Sequence, residues 1–426
     1  MVLAPAIDHR NARTLGQSIA GVLTAAAVVV LFLVSGLMLQ AMGIAYDTSG
    51  GALWQKIHPA TYVALAAVIC LVLSRFDVVG FIDDFARWHK GTMLFLGLWL
   101  LLFVHVVLVV HASIAPIVDT FLLPVMLLIL LTRISEGTAS NLAVFVHAAM
   151  TANALIALFE FATGARLTPL VAENITLVAD WRSSALLGHP LQNALLTATY
   201  TLIMVQGGGR DLPRLLRLGV IGLQVAALIV FGGRVATLLL LAFGGVALAL
   251  QLWRAVQLRR LSSANAAIFV AAATAAVVGL VLLVGGGFFD LFLQRFAQDQ
   301  GSADARLAMF DLLGQMPFSG FLFGSDPEHV ATLQRLEGIE FGIESFWVAF
   351  VVFYGLVISI PFLCGLIAFL LDVNRMARAP SGWAILFFIG VCSTSLSLAG
   401  KTTAFGVFVT MLLLLLRPLP EREARQ

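Results

Sequence analysis

The chain has 426 residues, of which 60% are hydrophobic and 11% charged, with a mean hydropathy of +1.00 and a formal net charge of +2. So large an apolar fraction excludes an ordinary soluble globular protein. The basic residues lie mostly in short segments between apolar runs, so the small positive charge gives no indication of nucleic-acid binding. Cys70, Cys364 and Cys392 all fall within apolar runs, where packing is the expected role.

Repeated apolar runs of about 17–25 residues predict transmembrane helices. We count about twelve, which predicts an all-α polytopic membrane protein with one integral membrane domain over residues 1–426. The first run is too long for a signal-peptide core and is interpreted as a retained span. At Gly232–Gly233 the sequence allows two short helices or one kinked helix. The predicted spans are roughly Gln17–Met42, Pro59–Ser74, Thr92–His111, Ile117–Thr132, Leu142–Thr163, Ala185–Val205, Leu218–Phe231, Val235–Trp253, Ala266–Val284, Phe346–Leu371, Trp383–Leu398 and Thr402–Leu416.

The basic residues predict the orientation, because cytoplasmic loops carry an excess of Lys and Arg. If all twelve predicted spans are real, most arginines fall on the same side of the membrane. That side is then the cytoplasm, and both termini lie on it. The loop between the second and third spans reads RFDVVGFIDDFARWHK and predicts a helix lying on the membrane surface. Asp83 and Asp84 are interpreted as part of its solvated face. No Asp-x-Asp motif occurs, so the sequence does not indicate a metal-dependent sugar-nucleotide site.

The longest polar interval, Phe288–Ser345, separates the ninth and tenth predicted spans. Loops of this size in compact proteins usually carry function, and we expect a large extracytoplasmic loop that contains short helices. Helix caps predict one helix over 302–315 and a second that begins after Asp326 and ends near residue 338. Turns are predicted between them, at Pro317, Gly320 and Gly324.

Arg182, Arg234 and Arg306 fall on the side where arginine is scarcer. Arg182 directly precedes the sixth span, and Arg234 lies between two apolar runs with almost no loop. An arginine in that position either snorkels to the interface or faces a polar cavity. Arg306 lies on the predicted loop helix and shares a face with Phe310 and Leu313.

Other polar residues accompany these arginines in the sequence. His189 and Asn193 open the sixth span, where they can bond neighbouring helices or a polar ligand. His105, His147 and Glu160 lie within spans, where a structural hydrogen bond or ion pair is the simpler interpretation.

A carboxylate stands at the mouth of the tenth span. Partial burial would raise the pKa of Glu344 and allow it to act as a general base, although a structural ion pair with one of the arginines remains open. His329 is the next candidate for the base.

The arrangement resembles the O-antigen ligase and polymerase family of bacterial polysaccharide assembly. The first matching stretch is Arg182 with Gly188, Pro190 and Asn193, and the second is GGRVATL around Arg234. The chain departs from the family where Gly233 replaces the usual serine and Glu344 replaces the histidine of ligases. The third matching stretch consists of Arg306, Phe310, Pro317, Gly320 and Gly324. The family also has a glycine within the following span, and Gly355 stands at that position here.

The resemblance implies glycosyl transfer on the periplasmic face of the bacterial inner membrane. The implied donor is a glycan linked through diphosphate to a polyprenyl lipid, and the acceptor is another glycan or, for a ligase, a lipid or protein. Arginine forks bind a diphosphate without a metal or cofactor, and Arg182, Arg234 and Arg306 would do so here. Glu344 would accept the proton of the attacking hydroxyl. A flippase and a chain-length regulator are possible partners in such assembly.

Two classes of protein compete with this interpretation. Twelve spans also suit a transporter or permease, although the sequence shows no repeated halves and no paired broken helices. A structural subunit of a polysaccharide export complex is the second competitor. Uptake or flipping assays on the reconstituted protein distinguish the enzyme from a transporter, and catalysis by the protein alone distinguishes it from a structural subunit.

Overall fold

A computed structural model describes residues 9–418 except 49, 76, 173–174, 177–179, 211, 258–273, 275–277, 279–280, 282–283, 298–301, 340–341 and 379. The described part is helical, apart from two short strands in one loop. The helices of the first half are α1 (His9–Leu33), α2 (Gly36–Ala41), α3 (Pro59–Leu73), α4 (Val78–Trp88), α5 (Lys90–His105), α6 (Ala115–Ile117), α7 (Leu123–Leu131), α8 (Glu136–Thr163) and α9 (Pro190–Ile203).

The second half continues with ten helices in the described residues. They are α10 (Arg214–Phe231), α11 (Arg234–Gln257), α12 (Asp290–Ala297), α13 (Ser302–Gln315), α14 (Phe318–Phe323), α15 (Pro327–Leu336), α16 (Phe346–Tyr354), α17 (Leu356–Met376), α18 (Ser381–Cys392) and α19 (Ala404–Leu415). The strands β1 (Val171–Ala172) and β2 (Ile175–Thr176) pair antiparallel between α8 and α9.

The fold is that of a helical, multi-pass membrane protein. Within the described residues six helices are long and apolar enough to cross a membrane, or seven if α3 and α4, which meet at 111°, form one span. The six candidates are Leu15–Leu33, Lys90–Val110, Glu136–Thr163, Arg214–Phe231, Arg234–Gln251 and Leu356–Met376. Three shorter apolar helices, Ala115–Leu131, Ser381–Cys392 and Ala404–Leu415, complete the set of membrane-compatible segments.

The predicted tenth span is interrupted in the structure, whereas three other predicted spans contain widened helical turns. The runs that end α5, precede α7 and end α9 contain widened turns at Val106–Val110, Val118–Leu122 and Met204–Gly208. The predicted tenth span breaks at Gly355, which separates α16 from α17 with a φ of 78°. The length of an apolar run does not show whether the helix is continuous. The sequence therefore predicted one span where the structure has the two helices α16 and α17.

The core of the bundle is aromatic. The Phe121 ring lies in the widened turn before α7 and contacts Phe362 of α17 at 4.9 Å between ring centres. Phe350 of α16 stacks on Phe362 at 5.2 Å, and Phe405 of α19 lies 6.4 Å from Phe121. Because these rings come from four separate elements, they fix α7, α16, α17 and α19 around one buried centre.

The predicted surface helix and the predicted loop helices are present. In α4, Phe81 and Phe85 are buried while Val79 and Trp88 are exposed, which fits an amphipathic helix at an interface. The helices α13 and α15 begin at Ser302 and after Asp326, as predicted, while α14 replaces the predicted turns.

Candidate functional site

The segment 182–189, which links the β-hairpin to α9, is held by a buried carboxylate. Glu160, near the end of α8, is 4% exposed, and its Oε2 accepts hydrogen bonds from the backbone nitrogens of Ser184 and Ala185, both at 3.0 Å. The Ser183 hydroxyl donates to the same oxygen, and the Leu167 nitrogen donates to Oε1 at 2.7 Å. A buried carboxylate satisfied by backbone donors orders the chain around it.

Two buried amides complete the support of this segment. Asn153 Oδ1 accepts from the backbone nitrogen of Leu186 at 3.0 Å. Asn193, in the first turn of α9, donates from Nδ2 to the carbonyls of Ser184 at 2.7 Å and Gly188 at 3.2 Å. The Nδ2 of Asn193 is therefore engaged in structural bonds, whereas its buried Oδ1 has no hydrogen-bond partner among the described atoms.

Arg182 stands at the start of the segment. Its Nε lies 2.9 and 3.0 Å from the two carboxylate oxygens of Asp180, and the Arg182 side chain is 16% exposed. The Asp180 carboxylate also accepts from the backbone nitrogen of Arg182 at 2.9 Å. The guanidinium is therefore presented in a fixed orientation beside a carboxylate, a partner that the sequence analysis did not identify.

His189 caps α9, with Nδ1 accepting from the Leu191 nitrogen at 3.3 Å. The His189 side chain is exposed. A neutral imidazole in such a position can donate one hydrogen bond to a polar ligand.

Arg234 begins α11 next to this segment. Gly232 ends α10 in the left-handed conformation with φ 67°, and a Cβ on Gly233 would lie only 2.3 Å from the Cβ of Ala194 in α9. The Ser183 nitrogen also donates to the Val230 carbonyl at 3.4 Å. These contacts bring two motifs that are about 50 residues apart in sequence to one end of the bundle, and the structure has two helices at the glycine pair.

We refer to Arg182, His189, Asn193 and Arg234 as the arginine site. A second polar cluster adjoins it. Asp119 is fully buried and accepts from the hydroxyls of Tyr46 at 2.9 Å and Thr61 at 2.7 Å, and from the His58 nitrogen at 2.9 Å.

Two threonines join this cluster to the start of α9. The neighbouring Thr120 accepts a bond from the Thr402 nitrogen at 3.1 Å, and Thr402 Oγ1 donates to Gln192 at 2.9 Å. Lys401 lies against the cluster with its ammonium 3.5 Å from the centre of the Tyr46 ring. The Lys401 ammonium also donates to the backbone carbonyls of Tyr46 and Lys56.

The remaining predicted site residues lie on the loop between α12 and α17. Arg306 is on α13, and its side chain lies outside the described atoms. The buried side of α13 carries Met309 and Leu312, and Met316 directly after the helix is also buried, whereas Phe310 is 63% exposed. Of the predicted face, Leu313 is therefore partly buried against the core and Phe310 is not.

Glu344 and His329 are placed differently from each other. Glu344 is half-buried, two residues before the start of α16, and α13 packs against α16. His329 is exposed on α15, while Val330 and Leu333 turn into the core. The helices that carry Arg306 and His329 thus both pack against α16, the helix that follows Glu344, while the His329 side chain is exposed.

The loop is fastened to the bundle at two points. The His105 ring nitrogen Nε2 lies 2.9 Å from the Phe323 carbonyl at the end of α14, so His105 has the structural hydrogen bond expected of a polar group in a span. His147 likewise has a structural hydrogen bond, to the Tyr200 hydroxyl at 2.7 Å, but this bond joins α8 to α9 and does not involve the loop. Gly324, next in the chain after Phe323, packs against Gly355.

Comparisons of the chain with protein-family models, with curated proteins and with solved structures found no match. Within the described residues, no three His, Cys, Asp or Glu side chains are grouped so that they could hold a metal ion. The chemistry proposed for the arginine site therefore rests on the residues of that site alone.

Proposed function

We propose that the chain is a membrane glycosyltransferase of the polysaccharide polymerase type. It joins glycan units carried on polyprenyl diphosphate. The observation that supports this proposal best is the meeting of the Arg182, His189 and Arg234 segments at one end of the bundle. Two cations and an imidazole on neighbouring segments suit a ligand that combines an anion with hydroxyl groups.

The proposal includes the arrangement in the membrane. About twelve spans cross the bacterial inner membrane, both termini lie in the cytoplasm, and the loop 288–345 lies in the periplasm with the arginine site. The one-sided distribution of basic residues supports this orientation. No nucleoside triphosphate is available on that side, so the donor arrives already activated by its diphosphate.

In the proposed reaction Arg182, Arg234 and Arg306 hold the diphosphate of the donor by charge-assisted hydrogen bonds. The acceptor hydroxyl oxygen attacks the anomeric carbon, and the bond from that carbon to the diphosphate oxygen breaks. The electron pair leaves with the polyprenyl diphosphate, and Glu344 takes the hydroxyl proton. His329 is the alternative base. Displacement of this kind inverts the anomeric centre.

Two further residues support the ligand in this scheme. His189 donates to a hydroxyl of the glycan. Asn193 acts through the segment that it holds, because its amide already bonds the carbonyls of Ser184 and Gly188. Asp180 occupies the Arg182 fork in the structure, and the diphosphate replaces it because its charge is larger.

The test uses purified protein in proteoliposomes with lipid-linked repeat units extracted from cells that lack this gene. Polymer longer than one repeat unit, formed by the protein alone, is the expected result. Transfer of single units to an added lipid or protein acceptor would show a ligase instead. Movement of a solute or of the donor across the bilayer without a new glycosidic bond would contradict the proposal and indicate a transporter.

A further inference from the structure

A cavity of about 760 Å³ lies at the opposite end of α8 from Glu160. It is enclosed by α1 and by the ends of α3 and α7 where they approach the start of α8. Its polar side is formed by Gln17, Arg75, Arg133, Ser135 and Thr138. At 1.5 Å per residue, the 28 residues of α8 separate it from the arginine site by roughly 40 Å. It is therefore a separate site.

Two arginines share one aromatic ring beside this cavity. The guanidinium carbon of Arg133 lies 4.3 Å from the centre of the Phe81 ring, and that of Arg75 lies 5.4 Å from it. Each contact is favourable, but together they hold two like charges close together. Burial lowers the pKa of Arg133, and the charge of Arg75 lowers it further. An anion between the two guanidiniums would relieve this repulsion.

The Arg133 guanidinium is incompletely satisfied. Its Nη1 is buried and has no hydrogen-bond partner among the described atoms. Asp84 contacts the other arginine, Arg75, at 3.4 Å, but this carboxylate is 62% exposed and the pair is weak. Asp84 belongs to a neighbouring recess, and no Asp or Glu is found among the described residues that line the cavity. The Arg133 Nη1 is thus a buried donor of this cavity that has no acceptor among the described atoms, whereas Arg75 pairs with Asp84.

The other wall of the cavity is apolar and opens sideways. It is formed by Gly21, Val22, Ala25, Leu71 and Leu130. Val22 is 69% exposed on α1, one of the candidate spans, so this wall continues onto the membrane-facing surface. A free inorganic ion would leave the apolar wall unused, whereas a lipid would place its headgroup at the arginines and its acyl chains along Val22.

We infer that this cavity binds the phosphate of an anionic phospholipid, held by Arg133 and Arg75 with its acyl chains along the apolar wall of α1. Ser135 and Thr138 contribute hydroxyls, which contact each other at 2.9 Å at the start of α8. Basic pockets between membrane helices are a known way of recognising lipid phosphates. This inference does not depend on the proposed glycosyl transfer.

The test titrates full-length protein with phosphatidylglycerol and with phosphatidylcholine and counts the retained lipids by native mass spectrometry. The wild type should retain phosphatidylglycerol in preference to phosphatidylcholine. Arg133→Gln should weaken phosphatidylglycerol retention by roughly 10- to 150-fold, the range expected for one charge-assisted hydrogen bond. Arg133→Lys keeps the charge but loses the fork, so it should show an intermediate loss and also covers a folding failure of the glutamine variant.

Arg87→Gln is the matched control, because Arg87 lies on α4, is 70% exposed and does not line the cavity. It should retain phosphatidylglycerol like the wild type. Equal retention by Arg133→Gln and the wild type would overturn the site. An equal loss in Arg87→Gln would also overturn it, by showing unspecific attraction. Displacement of phosphatidylglycerol by inorganic phosphate at similar concentration would support the phosphate subsite and overturn a lipid as its occupant.

Discussion

Gly324 in the loop and Gly355 at the break between α16 and α17 are packed backbone to backbone. A Cβ on Gly355 would lie 2.3 Å from the Gly324 nitrogen and 2.4 Å from the Leu322 carbonyl oxygen. The φ angles are 89° at Gly324 and 78° at Gly355, in a region that side-chain-bearing residues rarely adopt. The crossing fixes the loop that carries Arg306 to the helices that follow Glu344.

We expect Gly355→Ala to detach this part of the loop, because the methyl group meets backbone atoms that cannot move independently. The free energy of unfolding should fall by several kcal/mol. The backbone strain alone contributes on the order of 1–3 kcal/mol, and the clash adds to it. Limited proteolysis within the loop and the apparent unfolding temperature in detergent measure it. Gly338→Ala is the control, since Gly338 also has a positive φ, 66°, but has open space where a Cβ would stand. Similar behaviour of the two variants would contradict the packing argument.

Local signals in the loop were sufficient to predict some helix starts. Ser302 and Asp326 mark the first turns of α13 and α15, and capping depends only on residues within one turn. The helix α14 was not predicted, because Pro317 and Gly320 are typical of turns. Gly320 is buried in that helix and Gly324 ends it, so the glycines serve close packing within the folded loop rather than turns.

The candidate site was predictable only as a set of residue types. The spacing of Arg182 and Arg234 in sequence gave no distance between them, since the contact of Gly233 with Ala194 depends on how three helices pack. The bond from Glu160 to Ser184 spans 24 residues and equally depends on tertiary structure. Asp180, in contrast, lies two residues before Arg182, and this short separation could have predicted their ion pair.

Glu160→Gln should disorganise the arginine site. A glutamine presents an NH₂ group at one of the two carboxylate oxygen positions, so either the Leu167 nitrogen or the Ser184 and Ala185 nitrogens lose their acceptor. We expect a loss of roughly 1.5–3 kcal/mol in the free energy of unfolding. The apparent unfolding temperature measures it. Glu328→Gln, at an exposed position of α15, should have no such effect, and an equal shift in both variants would count against the role of Glu160.

Asp180→Asn tests whether the donor competes with Asp180 for Arg182. The asparagine oxygen can still accept from Arg182, but the positive charge is no longer neutralised, so the KM for lipid-linked donor should fall by roughly fivefold. Arg182→Gln should instead lower kcat/KM by at least about tenfold. A rise in KM in Asp180→Asn would mean that Asp180 mainly orients Arg182. Protein levels in the membrane are the control for both variants.

The stability of the protein should fall in acid partly through His58. This ring is fully buried, contacts the Val34 carbonyl at 2.8 Å, and burial lowers the pKa of His58 from 6.5 to about 4. The unfolded chain then binds the proton more readily than the folded one, so the contribution is complete above pH 6.5 and is lost as the pH falls through about 4. This change in the protonation of His58 lowers the free energy of unfolding by up to about 3 kcal/mol.

His58→Asn removes this titration and keeps an acceptor at the start of α3, where the ring now accepts from the Ala60 nitrogen. The variant should be less stable at neutral pH because the Val34 contact is lost. Its apparent unfolding temperature should nevertheless change less than that of the wild type between about pH 7 and about pH 4.5. An unchanged pH dependence would show that His58 is not the titrating group.

Glu344→Gln tests the proposed base directly. Glutamine keeps the shape of the side chain and most hydrogen bonds but cannot accept a proton. If Glu344 removes the proton of the acceptor hydroxyl, turnover should fall by roughly 10²- to 10⁴-fold while the lipid-linked donor still binds. Single-turnover assays with purified protein separate binding from chemistry, and Glu344→Asp should retain partial activity.

The matched variant is His329→Gln, because His329 is the alternative base on the same loop. It is exposed on α15, whereas Glu344 is half-buried two residues before α16, and each substitution removes a side chain that could accept the proton. We expect His329→Gln to keep nearly full turnover. If instead it abolishes polymer formation and Glu344→Gln does not, His329 is the base. If Glu344→Gln protein fails to accumulate in the membrane while His329→Gln protein does, Glu344 acts as a structural ion-pair partner rather than in the reaction.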